Sequence, residues 1–147
     1  MKIVLDGDGC PVMSITVDIA KQRGIPAEIV CDFEHRIVSD YAAVIIVDKG
    51  ADSADFRIVN RISAGDLVIT QDYGLAAMGL ARGAHILHPN GFVIDTSKID
   101  SLLEQRHIGR ELRRKHKSRG PRFKPRTNDD NLRFQAALNK LLDELLS

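Results

Sequence analysis

Residues 2–11 read KIVLDGDGCP, and the reading of this stretch decides the fold. Lys2–Leu5 is a short, mainly apolar run, followed at once by Asp6 and Asp8 set among Gly7 and Gly9. A continuous apolar run bounded by turn residues reads as a strand covered on both faces. Pro11 stands at a plausible first helical position, and the helical pattern Val12–Arg23 stops at Gly24. Strand, glycine-rich turn and helix together open an α/β unit. A solvent-facing turn needs only one aspartate and one glycine. Two acids one residue apart, between glycines, point instead to a cation that approaches the backbone.

The same alternation continues outward from this stretch. Ala27–Cys31, Ala43–Val47, Leu67–Thr70 and Ala84–Leu87 are further short apolar runs, and Ser53–Ile62 and Tyr73–Arg82 carry helical patterns between them. Phe33–Tyr41 reads as a loop or a short helical turn. Strands alternating with helices predict an α/β domain with a mainly parallel sheet. Beyond Ile94 the pattern changes. Ser101–Lys117 can begin as a helix, Gly120, Pro121 and Pro125 break Ser118–Arg126, and Asn128–Leu146 is helical again. Leu138, Leu141, Leu142, Leu145 and Leu146 share one face of that last helix, which is expected to pack against the domain, with a homodimer contact as the alternative.

The 147 residues suffice for one domain with a core, spanning 1–147, and 44% of them are apolar. No apolar stretch approaches the roughly 20 residues that cross a bilayer, so no membrane association is expected. Two cysteines, Cys10 and Cys31, are too few for a disulfide scaffold and suggest free thiols in the cytoplasm. A net charge of +1 hides an asymmetry: residues 1–100 hold 14 acidic against 9 basic residues, and residues 101–147 hold 6 against 12. Polarity of that kind is a partner signal.

In a parallel sheet, ligands bind beyond the carboxyl ends of the strands. Asp6 and Asp8 follow the first strand and Asp72 the fourth, while Asp52 and Asp55 begin the helix after the third. Asp32 and Asp48 end strands two and three and read as strand-end solvation. Acids gathered on one rim repel unless they share a cation, and hard oxygen ligands suit Mg²⁺ or Mn²⁺. Asp72 and Asp52 also read as helix caps. Asp55 lies three, four and seven residues before Ile58, Val59 and Ile62, on the face expected to be buried, where a carboxylate needs a partner. Cys10 falls at a helix start that favours a thiolate, yet no histidine base stands near it in sequence.

The segment RHIGRELRRKHKSRGPRFKPR, residues 106–126, has ten basic residues, seven of them arginine, and one acid. Arginine binds phosphate in bidentate fashion. Arg106, Arg110, Arg113, Arg114, Lys115, Lys117, Arg119 and Arg122 are therefore candidate nucleic-acid contacts. With Phe123 the only aromatic there, little base selectivity is expected. A basic arm that holds a phosphodiester beside an acidic metal rim is a nuclease arrangement.

DGDGCPV, GADSAD, GDLVITQDYGLAA, the PNG of Pro89–Gly91, and the RH and GP of the basic segment resemble, in order along essentially the whole chain, the YaiI/YqxD family of bacterial proteins. That family is similar to PIN-like domains, commonly Mg²⁺- or Mn²⁺-dependent ribonucleases. The resemblance implies a three-layer PIN-like α/β domain whose central, mainly parallel five-stranded sheet has the order 3-2-1-4-5 and helices on both faces. It places Asp6 beside Asp72. Carried over by motif, the catalytic set is Asp6, Asp8, Asp55 and Asp72, and the metal set adds Asp52. RNA is the expected partner ahead of DNA. DGDG replaces the family's more usual DADA, which keeps both acids and implies that alanine is accepted at Gly7 and Gly9. Two other readings compete: an RNA- or ribosome-associated binding protein without catalysis, and a haloacid-dehalogenase-type phosphatase, whose first motif LDGDGC resembles but whose hydroxyl and lysine this sequence does not supply.

Overall fold

The computed structural model describes residues 1–8, 10–32, 37–48, 53–102, 104–105 and 125–147, with residues 53–55 described in backbone only. The strands are β1 (Ile3–Asp6), β2 (Ala27–Asp32), β3 (Ala43–Val47), β4 (Leu67–Ile69), β5 (His85–Leu87) and β6 (Val93–Ile94). The helices are α1 (Met13–Arg23), α2 (Ser53–Arg61), α3 (Tyr73–Ala81), α4 (helical residues 96–102) and α5 (Asn128–Leu146). The sheet order is β3-β2-β1-β4-β5-β6, parallel except for the β5–β6 pair.

Strand periodicity divides the core between the two faces of the sheet. Ile3, Leu5, Ile29, Ile69 and Leu87 point to one side, against Val17 and Ala20 of α1 and Phe134, Leu138 and Leu142 of α5. Val4, Val30, Val68 and Ile86 point to the other, against Ile58 of α2, Leu75 of α3 and Ile99 of α4. Both faces are covered, so the strands read as unbroken apolar runs. This is the three-layer PIN-like architecture. The apolar face of α5 packs on the body of the domain, and Leu146 at its end remains exposed.

Three details differ from the sequence reading. The sheet has six strands, because Val93–Ile94 returns antiparallel to β5. A two-residue strand has no periodicity to detect, but PNG is a hairpin signal. Gly91 has a φ of 90° and donates its N–H to the His88 carbonyl at 2.9 Å. Pro11 is not the first helical residue: Val12 is the N-cap and α1 starts at Met13. Helix in the tail begins at 96, earlier than Ser101, and most of the predicted Ser101–Lys117 helix lies outside the described residues.

β1 is central, hydrogen-bonded to β2 on one side and β4 on the other. The chain winds outward from it in opposite directions, so the switch point lies between β1 and β4. Asp6 ends β1 there, and Thr70 follows β4.

Candidate active site

Asp6 and Asp8 line one small cavity at the switch point, together with Cys10, Ile69, Thr70, Gln71 and Pro89. Its volume is about 10 Å³, room for a single water-sized centre. Gly7 sets the spacing of the two acids. Its N–H donates to the Val30 carbonyl at 2.8 Å, so β1–β2 pairing continues past Asp6. A Cβ on Gly7 would fall 2.8 Å from Ile29 Cγ2, 3.0 Å from the Val30 carbonyl oxygen and 3.3 Å from Cys31 Cβ. The glycine is there because β2 lies against it, which argues against free acceptance of alanine at this position. Gly9 lies outside the described residues.

Thr70 ties the acids together, and the sequence reading missed it. Its hydroxyl donates to Asp6 Oδ2 at 3.0 Å and accepts the N–H of Asp72, also at 3.0 Å. Asp6 and Asp72 therefore stand on the same edge, linked through one side chain. Asp72, however, uses its Oδ1 as the N-cap of α3, accepting from Gly74 N–H at 2.9 Å and Leu75 N–H at 3.1 Å. The cap reading holds, and Asp72 does not line the cavity. On the other side, Asp8 Oδ1 accepts the N–H of Asp32 at 3.3 Å, which makes Asp32 a backbone support for Asp8.

Asp55 belongs to the first turn of α2, where Ile58 is buried as expected, as is Ile62 just past the helix; the Asp55 side chain lies outside the described residues, as does all of Asp52. Arg106, Arg110, Arg113, Arg114, Lys115, Lys117, Arg119 and Arg122 also lie outside them. Among the described residues, no three His, Cys, Asp or Glu side chains converge as a metal site. Asp6 and Asp8 nevertheless suit Mg²⁺ or Mn²⁺, which take one or two carboxylates and complete their shell with water or phosphate oxygens. Acids at the opposite edge of the sheet are engaged as well. Asp66 accepts from Lys2 and Ser63 N–H groups, and Glu28 pairs with Arg61 at 2.8 Å.

The Cys10 thiol is held above its ordinary value. Burial pushes it up most, and the Asp6 charge adds to that, outweighing the Val12 backbone contact and Arg126, which act the other way. The β5–β6 turn carries His88, which burial and the Arg126 charge push down to about 4. Its ring stacks on Phe92, with centroids 4.4 Å apart, and its Nδ1 accepts the Asn90 N–H at 3.0 Å. His88 is therefore a neutral ring beside Pro89 in the chain, with its proton on Nε2.

Arg126 closes this side. Its Nε donates to Asn131 Oδ1 at 2.7 Å, Nη1 to Asn90 Oδ1 at 3.2 Å and Nη2 to the Pro89 carbonyl at 2.9 Å. The guanidinium thus pins the start of α5 to the hairpin that walls the cavity. The capping box of Thr127 and Asp130 fixes the chain just after it. Arg126 was legible only as the last of a basic run, since two of its three acceptors are 36 and 37 residues away in sequence.

The family model described as uncharacterized BCR, YaiI/YqxD family matches residues 4–144. A UPF0178 protein from Alkaliphilus oremlandii is 47% identical over 144 residues, covering 98% of this chain and 92% of that protein. One from Clostridium acetobutylicum is 42% identical over 145 residues, covering 97% of each chain. One from Enterococcus faecalis is 43% identical over 150 residues, covering 99% of this chain and all of its own. No solved structure matches at a significant level. With a family model matching nearly end to end and full-length relatives at this identity, the chain belongs to the YaiI/YqxD family.

Proposed function

We propose that the chain is a divalent-metal-dependent nuclease, an endoribonuclease by preference, that hydrolyses phosphodiesters at the C-terminal edge of its sheet. The observation that carries this reading is the placement of Asp6 and Asp8 on one ion-sized cavity at the β1/β4 switch point. A bound Mg²⁺ or Mn²⁺ would lower the pKa of a water and steady the leaving oxygen. Asp6 and Asp8 would hold the ion, with Thr70 fixing the Asp6 carboxylate through its hydroxyl. Asp55 and Asp52 are the candidates to complete the acidic set. Asp72 positions α3 and, through Thr70, Asp6. The basic segment 106–126 would retain nucleic acid with little sequence preference.

The test is cleavage of labelled single-stranded RNA and DNA with Mn²⁺ or Mg²⁺. Outer-shell partners of a metal already change activity roughly 10–100-fold, so Asp6→Asn, which removes a ligand charge, should lower cleavage at least about 100-fold. Neutralising Arg113, Arg114, Lys115 and Lys117 should weaken binding and flatten its salt dependence by about 0.7 log unit per lost phosphate contact. Cleavage that survives Asp6→Asn unchanged would sink the proposal. A second reading, an RNA-binding protein without catalysis, is favoured by the engagement of Asp72 as a cap. It predicts arm-dependent RNA binding with no cleavage under any metal.

A further inference from the structure

We infer that Arg126 is a phosphodiester-binding residue, a preorganised cation behind the wall that the β5–β6 hairpin gives the acidic cavity through Pro89. The inference rests on the nuclease reading for the identity of the ligand, and on the geometry of Arg126 for the site itself. Every acceptor that holds the guanidinium is neutral: one backbone carbonyl and two asparagine side-chain oxygens. No carboxylate pairs with Arg126 among the described residues. Arginines used only as clamps commonly take a carboxylate, which cancels their charge. Here three bonds fix the plane of the group and leave the positive charge uncompensated. A guanidinium has five N–H donors, so two remain for a ligand.

Position supplies the second part of the argument. Pro89, whose carbonyl Arg126 holds, lines the cavity with Asp6 and Asp8. Cys10, on the same cavity, lies within electrostatic reach of both Asp6 and Arg126. Two carboxylates therefore stand on one side of a small cavity, and a rigid cation stands behind another of its walls. A phosphodiester matches that polarity: one oxygen can face the cation that the acids attract, and another can face the arginine fork. Because the group is already aligned, binding does not require it to be ordered. Chain order fits too, since Arg126 ends the basic segment.

The experiment uses the full chain, Mg²⁺ and the dinucleotide UpU, which carries one phosphodiester and is too short to span the arm. Side-chain NMR should show the Arg126 Nε–H signal shifting as UpU saturates the wild-type protein. Arg126→Ala should weaken UpU about tenfold, and Arg126→Lys, which keeps the charge without the fork, by roughly threefold. Asn131→Ala, which keeps the arginine and removes one orienting bond, should also weaken it. Should Arg126→Ala fail to fold, the wild-type titration and Asn131→Ala still decide the matter. UpU binding that leaves the Arg126 signal unmoved, or equal affinity in a folded Arg126→Ala protein, overturns the inference. Because binding is read without cleavage, an inactive protein whose Arg126 signal responds to UpU would refute the nuclease reading and leave the subsite standing. A cleaving protein indifferent to Arg126 would do the reverse.

Discussion

Replacing Gly7 by alanine tests the packing that separates Asp6 from Asp8. The added Cβ would meet Ile29 Cγ2 at 2.8 Å and the Val30 carbonyl oxygen at 3.0 Å. Ile29 is 1% exposed, so its methyl cannot swing into solvent. The carbonyl belongs to the ladder and accepts the Gly7 N–H itself. Relief requires β1 and β2 to part by several tenths of an ångström just where the acids are presented. Overpacking of this size costs about 1–3 kcal/mol. Alanine restores about 0.4–1 kcal/mol by narrowing the unfolded ensemble. The net loss should be about 1–2 kcal/mol, or roughly 3–8 °C in Tm for a chain of this length. Urea unfolding should show a lower midpoint with an unchanged slope. Adding Ile29→Ala should cost less in the Gly7→Ala protein than in wild type, since it removes the colliding methyl and couples the two sites. A Gly7→Ala midpoint equal to or above wild type would refute the reasoning and make the glycine incidental.

His88 predicts a pH dependence of stability. Its folded pKa of about 4 lies below the ordinary 6.5, so the neutral ring is favoured in the native state. The contribution is complete above pH 6.5 and is lost as pH falls toward 4, because the unfolded chain takes up the proton first. At about 1.4 kcal/mol per pH unit its ceiling is about 3 kcal/mol, and His88→Phe should remove that slope from denaturation curves taken between pH 7 and 4.5. Asp72→Ala deletes both cap bonds of α3 and should destabilise by about 0.5–2 kcal/mol. Asp72→Asn keeps a capping oxygen and should melt close to wild type, so any loss of cleavage in it reports charge and not folding.

The alternation of strands and helices was legible because burial on both faces turns each strand into an apolar run, and because Gly24 and Asp72 punctuate their helices at the chain level. β6 was not, since a two-residue strand reached through a five-residue connection leaves almost no pattern. For the site, Asp6 and Asp8 could be read as a pair from their spacing. The role of Thr70 could not, because its bond to Asp6 crosses 64 positions and depends on which strands are neighbours. Gly7 read as room for a cation to approach the backbone, yet its constraint comes from Ile29 on the adjoining strand. Arg126 was hidden among nine other basic residues, and only the fold shows that neutral oxygens hold it. Local signals thus revealed which chemistry is present, and long-range contacts determine how it is oriented.

The central position of β1 has a consequence for the order in which the protein comes into being. This strand leaves the ribosome well before its partner β4, and the Lys2–Asp66 and Asp6–Thr70 contacts that secure it each wait for a residue 64 positions later. The layer over Ile3 and Leu5 then waits again for Phe134 and Leu138, near the other end of the described chain. Contacts this distant in sequence make for slow closure and leave apolar surface open meanwhile. The core beneath the edge that carries Asp6 and Asp8 is consequently among the last parts to be completed, so a nascent or truncated chain would present both acids on an unfinished layer until α5 docks.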